Sequence, residues 1–238
     1  MLGKLYLIPS ALSESNAKQY LAPETLSVVF GVKHFIVERA KTARHFLKSI
    51  SYPHHFDDAV MRELDKHKAD NAEELLQDCL AGFDVGVISE AGVPGVADPG
   101  GIIVRAAHAK GIEVCPLIGP SSILLGLMAS GMNGQRFSFH GYLPRNESEL
   151  NSILKQLEQE SRRDHVTQIF IETPYRNDKM VETLLKTLQH QTELCFASNI
   201  NAPDQFIVTK TVGEWRRSNP KLEKKPTVFF LFSGVLVS

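Results

Sequence analysis

The sequence lacks a hydrophobic run long enough to cross a membrane. The apolar run at residues 228–237 is interrupted by Ser233 and Gly234, whereas a spanning helix needs about 20 apolar residues. The N-terminus also lacks a basic region followed by a long apolar stretch, the form that a secretion signal takes. We therefore expect a cytoplasmic protein that does not associate with membranes.

Cysteine is scarce, and the few present form no Cys-x-x-Cys pair. Neither a disulfide framework nor a zinc site is indicated by that spacing. Residues 54–58 place two histidines near two aspartates, but no third ligand set follows at a fixed distance, so we expect no bound metal. We expect reduced, buried thiols. The three cysteines are Cys79, Cys115 and Cys195.

The chain also lacks an overall basic charge, because 26 lysines and arginines face 27 acids for a net charge of −1. Composition alone therefore does not indicate a surface that binds nucleic acid. The charge is uneven, however: residues 38–48 and 210–225 are locally basic, and residues 57–78 are acidic. These segments are either solvated helix faces and loops or, for the two basic ones, the rims of a cleft for an anionic substrate.

Strand-like and helix-like segments alternate along the chain. Their βαβα order in the first half predicts an α/β fold with a mostly parallel sheet. In the second half the later strand candidates follow one another through short connections, which predicts a mixed sheet. We place the domain boundary beside Gly134, giving an N-terminal domain of residues 1–134 and a C-terminal domain of residues 135–238.

The most informative segment is residues 88–100, Ile-Ser-Glu-Ala-Gly-Val-Pro-Gly-Val-Ala-Asp-Pro-Gly. It follows a predicted strand and precedes a predicted helix, the place where open α/β sheets bind ligands. Its small side chains leave backbone groups accessible to a ligand. It is neither a GxGxxG motif nor a P-loop. The segment is a ligand-binding loop or, alternatively, a long structural turn.

A second loop, residues 117–122, also joins a strand to a helix. It reads Leu-Ile-Gly-Pro-Ser-Ser, and either serine can cap the helix that follows. The same hydroxyls can meet a carboxylate or a sugar at a helix N-terminus. Capping alone explains the serines equally well.

Four motifs in order resemble those of the tetrapyrrole methylase family, in particular its ribosomal RNA methyltransferase branch. Residues 89–100 resemble Ser-Asp-Ala-Gly-Thr-Pro-x-x-Ser-Asp-Pro-Gly, and residues 119–122 resemble Gly-Pro-Ser-Ala. Residues 137–145, Phe-Ser-Phe-His-Gly-Tyr-Leu-Pro-Arg, are similar to Phe-x-Phe-x-Gly-Phe-x-Pro-Arg. Residues 170–176, Phe-Ile-Glu-Thr-Pro-Tyr-Arg, are similar to Phe-Tyr-Glu-Ser-Pro-His-Arg.

The resemblance implies a two-domain α/β fold with S-adenosylmethionine bound in the cleft between the domains. It also implies a homodimer and a methyl acceptor in ribosomal RNA, at a ribose 2'-hydroxyl. Carried over by motif, the cofactor-binding residues are Pro9, Ser89, Glu90, Ala91, Gly92, Pro94, Ser121, Ser122, Glu172 and Ile200.

The chain departs from the family in the loops that face the substrate. Residues 8–13 keep the proline of Thr-Pro-Ile-Gly-Asn-Leu but lose its Gly-Asn-Leu. Residues 38–41 keep only the glutamate of Glu-Asp-Thr-Arg, and residues 197–201 replace Arg-Glu-Leu-Thr-Lys. The methyl donor is therefore better indicated than the acceptor, and two alternatives stay open: a tetrapyrrole-like small molecule as acceptor, or a cofactor-binding protein without catalysis.

Few residues are candidates for catalysis or for binding the acceptor. Methyl transfer needs alignment of nucleophile, methyl group and leaving sulfur, and a base only if the acceptor is a hydroxyl or an amine. Glu38 is a weak candidate for that base and otherwise a surface ion-pair partner. The candidates for binding an RNA or a ribosomal subunit, which are otherwise surface ion pairs, are Arg39, Lys41, Arg44, Arg145 and Arg176.

Overall fold

The computed structural model describes residues 1–13, 17–64, 72–218 and 220–235. It divides into two compact units, Met1–Ser121 and Ser122–Ser238. Residues 65–71, part of the acidic segment at residues 57–78, lie outside the described residues. No described helix is long and apolar enough to traverse a bilayer.

The first unit is built on a five-stranded sheet in the order β3-β2-β4-β1-β5, and every pair in it is parallel. The predicted parallel sheet is therefore confirmed. Its central strand β4 is buried along its whole length, as expected for a parallel strand covered on both faces. The strands are β1 (Leu5–Ile8), β2 (His34–Val37), β3 (Val60–Glu63), β4 (Val85–Ile88) and β5 (Val114–Pro116).

Short helices connect these strands and cover the sheet. One of them, α2, buries Ala43, Phe46 and Leu47 at helical spacing against the core around Ile8 and Phe35. The helices of this unit are α1 (Pro23–Gly31), α2 (Ala40–Ser49), α3 (Ala72–Leu75), α4 (Gln77–Leu80) and α5 (Gly100–Ala109).

Cys79 and Cys195 are buried and Cys115 is half-buried. Burial raises the pKa of the Cys79 thiol to about 11. The described residues contain no group of three or more His, Cys, Asp or Glu side chains placed to hold a metal ion.

A charged cluster lies beside the start of β2 in the first sheet. Arg62 donates to both oxygens of Asp78, from Nε and from an Nη, at 2.9 Å each. The His34 Nδ1 atom lies 3.1 Å from the same carboxylate. Hydrogen bonding from Arg62, above all, holds the pKa of Asp78 below its ordinary value. The cluster therefore ties β2, β3 and α4 together through one ionised side chain.

Asp78→Asn is expected to lower the free energy of unfolding by about 1 to 2 kcal/mol at neutral pH, the range for a lost charged hydrogen-bond pair that is partly exposed. Because the folded-state pKa of Asp78 is lowered, its contribution is present above the unfolded-state pKa and is lost as pH falls through the lowered value. Urea unfolding between pH 7 and pH 2 measures this. The difference between wild type and variant should disappear at the acid end, and a difference that persists there would contradict the account.

The second unit is built on a mixed five-stranded sheet in the order β6-β7-β10-β8-β9. Only the β6–β7 pair is parallel; the other neighbours are antiparallel. The predicted mixed sheet is therefore confirmed. The strands are β6 (Phe137–Tyr142), β7 (Thr167–Ile171), β8 (Glu193–Ser198), β9 (Phe206–Thr211) and β10 (Thr227–Phe232).

Helices cover this sheet around an aromatic core. Phe170 stacks on Phe229, and Phe196 packs on Trp215, whose Nε1 donates to the Leu194 carbonyl oxygen at 2.9 Å. The helices are α6 (Ser122–Ser130), α7 (Glu147–Asp164), α8 (Asn177–Thr187) and α9 (Val212–Ser218). Asn146 begins α7, its side chain accepting from two backbone N–H groups of the first turn.

Helix α6 accounts for the difference between the two compact units and the boundary predicted beside Gly134. It packs on β8, β9 and β10 of the second sheet. Gly126 permits this approach, since a Cβ at that position would lie 2.5 Å from Phe230 Cζ. The Thr209 hydroxyl also donates to the Ser130 carbonyl oxygen at 2.7 Å. The sequence showed an apolar helix but not which sheet it covers.

Candidate functional site

The loops with the most informative motifs meet at the carboxyl edge of the first sheet. Because β1, β4 and β5 run parallel, the segments that follow Ile8, Ile88 and Pro116 leave the sheet at the same edge. These segments contain most of the predicted cofactor-binding residues. The topology therefore brings together motifs that are far apart in the chain: Ile8 and Ile88, which pair in the sheet, are 80 positions apart.

Two of these loops are joined by hydrogen bonds to one carbonyl group. The Gly92 oxygen accepts from the Ser10 N–H at 2.8 Å and from the buried Ser89 hydroxyl at 3.0 Å. Gly92 has φ +79°, a left-handed conformation that glycine adopts without a steric penalty. Of the adjoining residues, Glu90 and Ala91 are exposed whereas Pro94 is buried. The turn thus exposes Glu90 and Ala91 to solvent, while hydrogen bonds to the Gly92 oxygen fix its position.

The loop that follows β5 packs on the loop that follows β1 through Gly119 and Pro9. A Cβ at position 119 would overlap the Pro9 ring, so only glycine permits this contact. The buried Thr25 hydroxyl donates to the Ile118 carbonyl oxygen at 2.8 Å and fixes the same loop from α1. Pro9 therefore has a packing role that its place in the sequence motif did not indicate. The role of Gly119 was also missed, although the Gly-Pro dipeptide marked a turn.

Ser10, at the junction of these loops, was not predicted to belong to the site. It is 3% exposed, and its hydroxyl oxygen has no hydrogen-bond partner among the described residues. A buried hydroxyl without a partner is uncommon and costs free energy. The junction therefore retains spare hydrogen-bonding capacity in the Ser10 hydroxyl.

The motif at residues 88–100 is the long motif, and its second half, residues 95–100, forms a turn held by its own hydrogen bonds. Asp98 Oδ1 accepts from the N–H groups of Gly95 and Gly100 at 2.7 Å each. These bonds fix the start of α5, and Gly95 and Ala97 take left-handed conformations around them. The two interpretations of the motif thus divide along it: residues 95–100 form a structural turn, and residues 89–94 form the part that meets the other loops.

Glu38 lies beside the long motif at the end of β2. Its Oε1 accepts from the Glu90 N–H at 3.3 Å. Glu63, at the end of β3, accepts from the Ala40 N–H at 2.7 Å and so caps the start of α2. The carboxyl edge of the sheet therefore holds two carboxylates, one of them in contact with a predicted cofactor-binding residue.

The carboxyl edge of the second sheet carries the remaining candidates. Glu172 follows β7 and is buried, and its Oε1 accepts from the Thr173 N–H at 2.7 Å. Its Oε2 lies 3.3 Å from Arg176 Nε as an ion pair without hydrogen-bond geometry. This contact favours the ion-pair interpretation of Arg176, whereas Arg145 is exposed and forms no ion pair within the described parts of the chain.

The segment that replaces Arg-Glu-Leu-Thr-Lys begins in the last two residues of β8 and continues beyond the strand at the same edge. Asn199 and Asn201 take left-handed conformations with φ +52° and +67°, which asparagine tolerates better than most residues. The Asn199 N–H donates to the Pro226 carbonyl oxygen at 2.8 Å. Ile200 between them is buried. If Ile200 contacts the cofactor, it does so through its backbone.

A family model described as "Tetrapyrrole (Corrin/Porphyrin) Methylases" matches residues 18–215. The chain belongs to the tetrapyrrole methylase family. The predicted family and the predicted S-adenosylmethionine-dependent methyltransferase activity are thereby confirmed. The match begins before α1 and ends within α9, so it includes strands of both sheets, β2 to β9.

Curated relatives of this methylase cover most of its length. "Ribosomal RNA small subunit methyltransferase I" of Buchnera aphidicola (subsp. Schizaphis graminum) is 25% identical over 236 residues, 98% of this chain and 79% of the relative. The protein of the same name from Escherichia coli O157:H7 is 29% identical over 213 residues, 89% of this chain and 70% of the relative. That of Xylella fastidiosa is 32% identical over 176 residues, 73% of this chain and 60% of the relative.

Solved structures of other methyltransferases share the fold of this methylase. The methyltransferase CobJ superposes with a TM-score of 0.64 at 18% identity, covering 97% of this chain and 94% of CobJ. Uroporphyrin-III C-methyl transferase from Thermus thermophilus, solved with S-adenyl homocysteine, gives a TM-score of 0.57 at 16% identity, covering 97% of each chain. These similarities support the fold.

The loops of this methylase fit the cofactor. Ala91 is exposed, Gly92 takes a left-handed conformation, and the Ser10 hydroxyl has no hydrogen-bond partner among the described residues, so these loops supply polar groups beside small side chains. Such groups can hold the polar edges of a nucleoside and of an amino acid. When bound, S-adenosylmethionine supplies an electrophilic methyl group on a positively charged sulfur.

Gly119→Ala is expected to weaken the binding of S-adenosylmethionine about tenfold, because the added methyl must displace either Pro9 or the loop that carries Ser121. Isothermal titration calorimetry measures the affinity. Gly31→Ala is a suitable control, since a Cβ there meets no atom within 4 Å. Equal affinity in wild type and Gly119→Ala would show that the Pro9 contact does not shape the site.

Proposed function

We propose that the chain methylates RNA of the small ribosomal subunit, with S-adenosylmethionine as donor and a ribose 2'-hydroxyl as acceptor. The activity would then belong to the cytoplasm, where ribosomes are. The names of the curated relatives support the acceptor class. One observation of this chain supports it independently: the exposed face of α2.

The exposed face of α2 is a basic stripe. Lys41, Arg44, His45 and Lys48 are all exposed and lie at positions i, i+3, i+4 and i+7, which form one face of a helix. The helix contains no acidic residue, and Arg39 precedes it. Among the described residues, none of these lysines and arginines forms an ion pair. Their charge is therefore available to phosphate groups.

The basic stripe starts at the edge of the sheet where the cofactor loops meet. Helix α2 begins just after Glu38, which contacts the Glu90 N–H. RNA phosphates held along α2 would place neighbouring ribose groups near that edge. Transfer from sulfur to oxygen needs the hydroxyl in line with the methyl group and a group to take its proton. We assign the second role to Glu38.

The second basic segment, residues 210–225, gives weaker support because two of its basic side chains are already engaged. Lys225 lies 3.1 Å from Asp204 and 3.2 Å from Glu223. Arg216 donates to the carbonyl oxygens of Leu185 and Leu188. We therefore propose the α2 stripe, rather than this segment, as the main phosphate-binding surface.

The experiment that tests this function is transfer of labelled methyl groups from S-adenosylmethionine into small ribosomal subunits from a strain that lacks the protein. We expect label in the RNA, and resistance of the labelled linkage to alkaline cleavage, since a 2'-O-methyl group removes the attacking hydroxyl. Glu38→Gln should lower the rate and leave cofactor affinity unchanged. Label in a small molecule alone would favour a tetrapyrrole-like acceptor, and cofactor binding without any transfer would favour a binding protein.

We further propose that the chain forms a homodimer, supported by α6. This helix is apolar around its circumference: Ile123 and Leu127 pack inward, while Met128 is 79% exposed and Leu124 is half-exposed. An apolar face open to water favours association. Light scattering should give twice the chain mass of 26.5 kDa at micromolar concentration. Met128→Glu should shift that mass towards one chain, and a wild-type monomer would rule the proposal out.

A further inference from the structure

One exposed aromatic side chain of the second unit lies in a polar setting. Tyr175 is 80% exposed and belongs to the 3-10 turn Pro174–Arg176, which follows β7. The Lys224 Nζ atom lies over its ring, 5.2 Å from the ring centre. A cation near a tyrosine face is attracted by the ring electrons and limits the motion of both groups. We call Tyr175, together with Lys224, the Tyr175 platform.

Partly buried hydrogen bonds fix both sides of the Tyr175 platform. Asn177 is fully buried, and its Nδ2 donates to the Lys225 carbonyl oxygen at 2.6 Å. Asp178 Oδ1 accepts from the Leu222 N–H at 2.8 Å. These bonds attach residues 222–225 to the first turn of α8, which continues directly from the turn that carries Tyr175. The platform is therefore formed before a partner arrives, so little ordering entropy is lost on binding.

A cavity of about 500 Å³ opens beside the platform, within the size range of small-molecule clefts. Its charged lining is balanced, with two lysines and two carboxylates, so it does not favour a phosphate. An aromatic face with donors and acceptors around it suits a flat polar ring. Carboxylates accept from the amino group of a base, and lysine donates to ring oxygens and nitrogens. The cavity is lined by Pro174, Tyr175, Asp178, Glu223, Lys224 and Lys225.

We propose that the Tyr175 platform stacks an unpaired base of the RNA acceptor, an inference that rests on the proposed function. Single-stranded RNA is recognised largely through bases that stack on aromatic side chains. Tyr175 lies three residues after Glu172, at the carboxyl edge of the second sheet. A base stacked there is held next to a predicted cofactor-binding residue. The platform thus supplies position, whereas the basic stripe on α2 supplies charge neutralisation.

The test compares Tyr175→Ala and Tyr175→Phe in the full chain. Binding of a fluorescent, mixed-sequence, 12-nucleotide single-stranded RNA is followed by anisotropy at several salt concentrations. Loss of one base–aromatic stack should weaken binding by roughly 5-fold to 100-fold in Tyr175→Ala. Tyr175→Phe keeps the ring and should stay within about twofold of wild type. The salt dependence should be the same in all three proteins, because no phosphate contact is removed.

A matched control removes an exposed aromatic ring from the opposite edge of the same sheet. Phe137, at the start of β6, is 42% exposed and does not line the cavity, and Phe137→Ala should leave RNA affinity unchanged. Cofactor affinity, measured by calorimetry, should be equal in every variant and verifies folding. Tyr175→Ala with wild-type RNA affinity overturns the platform, even if the RNA binds and is methylated. Wild type that binds no RNA overturns the proposed function, and the platform with it.

Discussion

Reversing three charges on and before α2, in the variant Arg39→Glu, Lys41→Glu, Arg44→Glu, should weaken RNA binding roughly 100-fold or more at about 0.1 M salt. Each of these side chains is exposed and without an ion pair among the described residues, so each can neutralise a phosphate. The slope of log affinity against log salt should decrease by about 2, since single strands contribute about 0.7 per phosphate contact. Anisotropy with single-stranded RNA across a salt series measures both effects.

Cofactor affinity should be nearly unchanged in this variant, because the predicted cofactor-binding residues lie in other segments of the chain. The fold should also persist, since Arg39 and Lys41 lie at the start of α2, where acidic residues are favourable, and Arg44 is exposed. A second variant, Lys33→Glu, Lys155→Glu, Lys186→Glu, changes net charge equally at exposed positions elsewhere and should keep most of the affinity. Equal losses in both variants would mean that overall charge, not the α2 stripe, attracts the RNA.

Gly92→Val should weaken binding of S-adenosylmethionine and its demethylated product roughly 100-fold, or by about 2.7 kcal/mol. A residue with a Cβ is strained at φ +79° by about 1 to 2 kcal/mol. Its Cβ would also lie 3.4 Å from Leu12 Cδ2 and 3.6 Å from the Pro120 oxygen, so the valine methyl groups would press on two neighbouring loops. The hydrogen bonds that Ser10 and Ser89 donate to Gly92 would then distort.

Backbone strain and damage to the site can be separated with Gly111→Val. Gly111 has φ +69°, but a Cβ there meets no atom within 4 Å, and the residue precedes β5 at the opposite edge of the same sheet. Calorimetric titration should show near wild-type affinity in Gly111→Val and a large loss in Gly92→Val. A folded Gly92→Val protein with wild-type affinity would place the cofactor elsewhere.

Local patterns predicted the alternation of strands and helices and the motif at residues 88–100, because both depend on neighbours in sequence. The apolar run of β4 and the glycines and prolines after it carry their own conformational preferences, and Gly92 takes the left-handed conformation that such a turn requires. The basic face of α2 could also be found from spacing alone. The positions of Lys41, Arg44 and Lys48 fit one helix face once the buried positions are recognised.

Contacts between distant segments were not predictable in this way. In sequence, Ser10 lies in the segment at residues 8–13 that keeps little of the family motif. In the structure its N–H donates to the Gly92 oxygen, and its buried hydroxyl has no partner among the described residues. The overlap that excludes any residue but glycine at position 119 depends on Pro9, 110 positions earlier. No sequence pattern distinguishes Tyr175. The structure does, because Lys224, 49 positions later, lies over its ring.

The central claim is that the cofactor loops of the first sheet and the basic stripe of α2 serve one reaction on RNA. The most direct test is transfer of labelled methyl groups to small ribosomal subunits lacking the modification, with wild type, Gly92→Val and the α2 charge-reversal variant. The account predicts label in RNA with wild type, and little with either variant, at concentrations where wild type is near saturation. Label that enters RNA at the wild-type rate with both variants, or label absent from RNA with wild type, would contradict it.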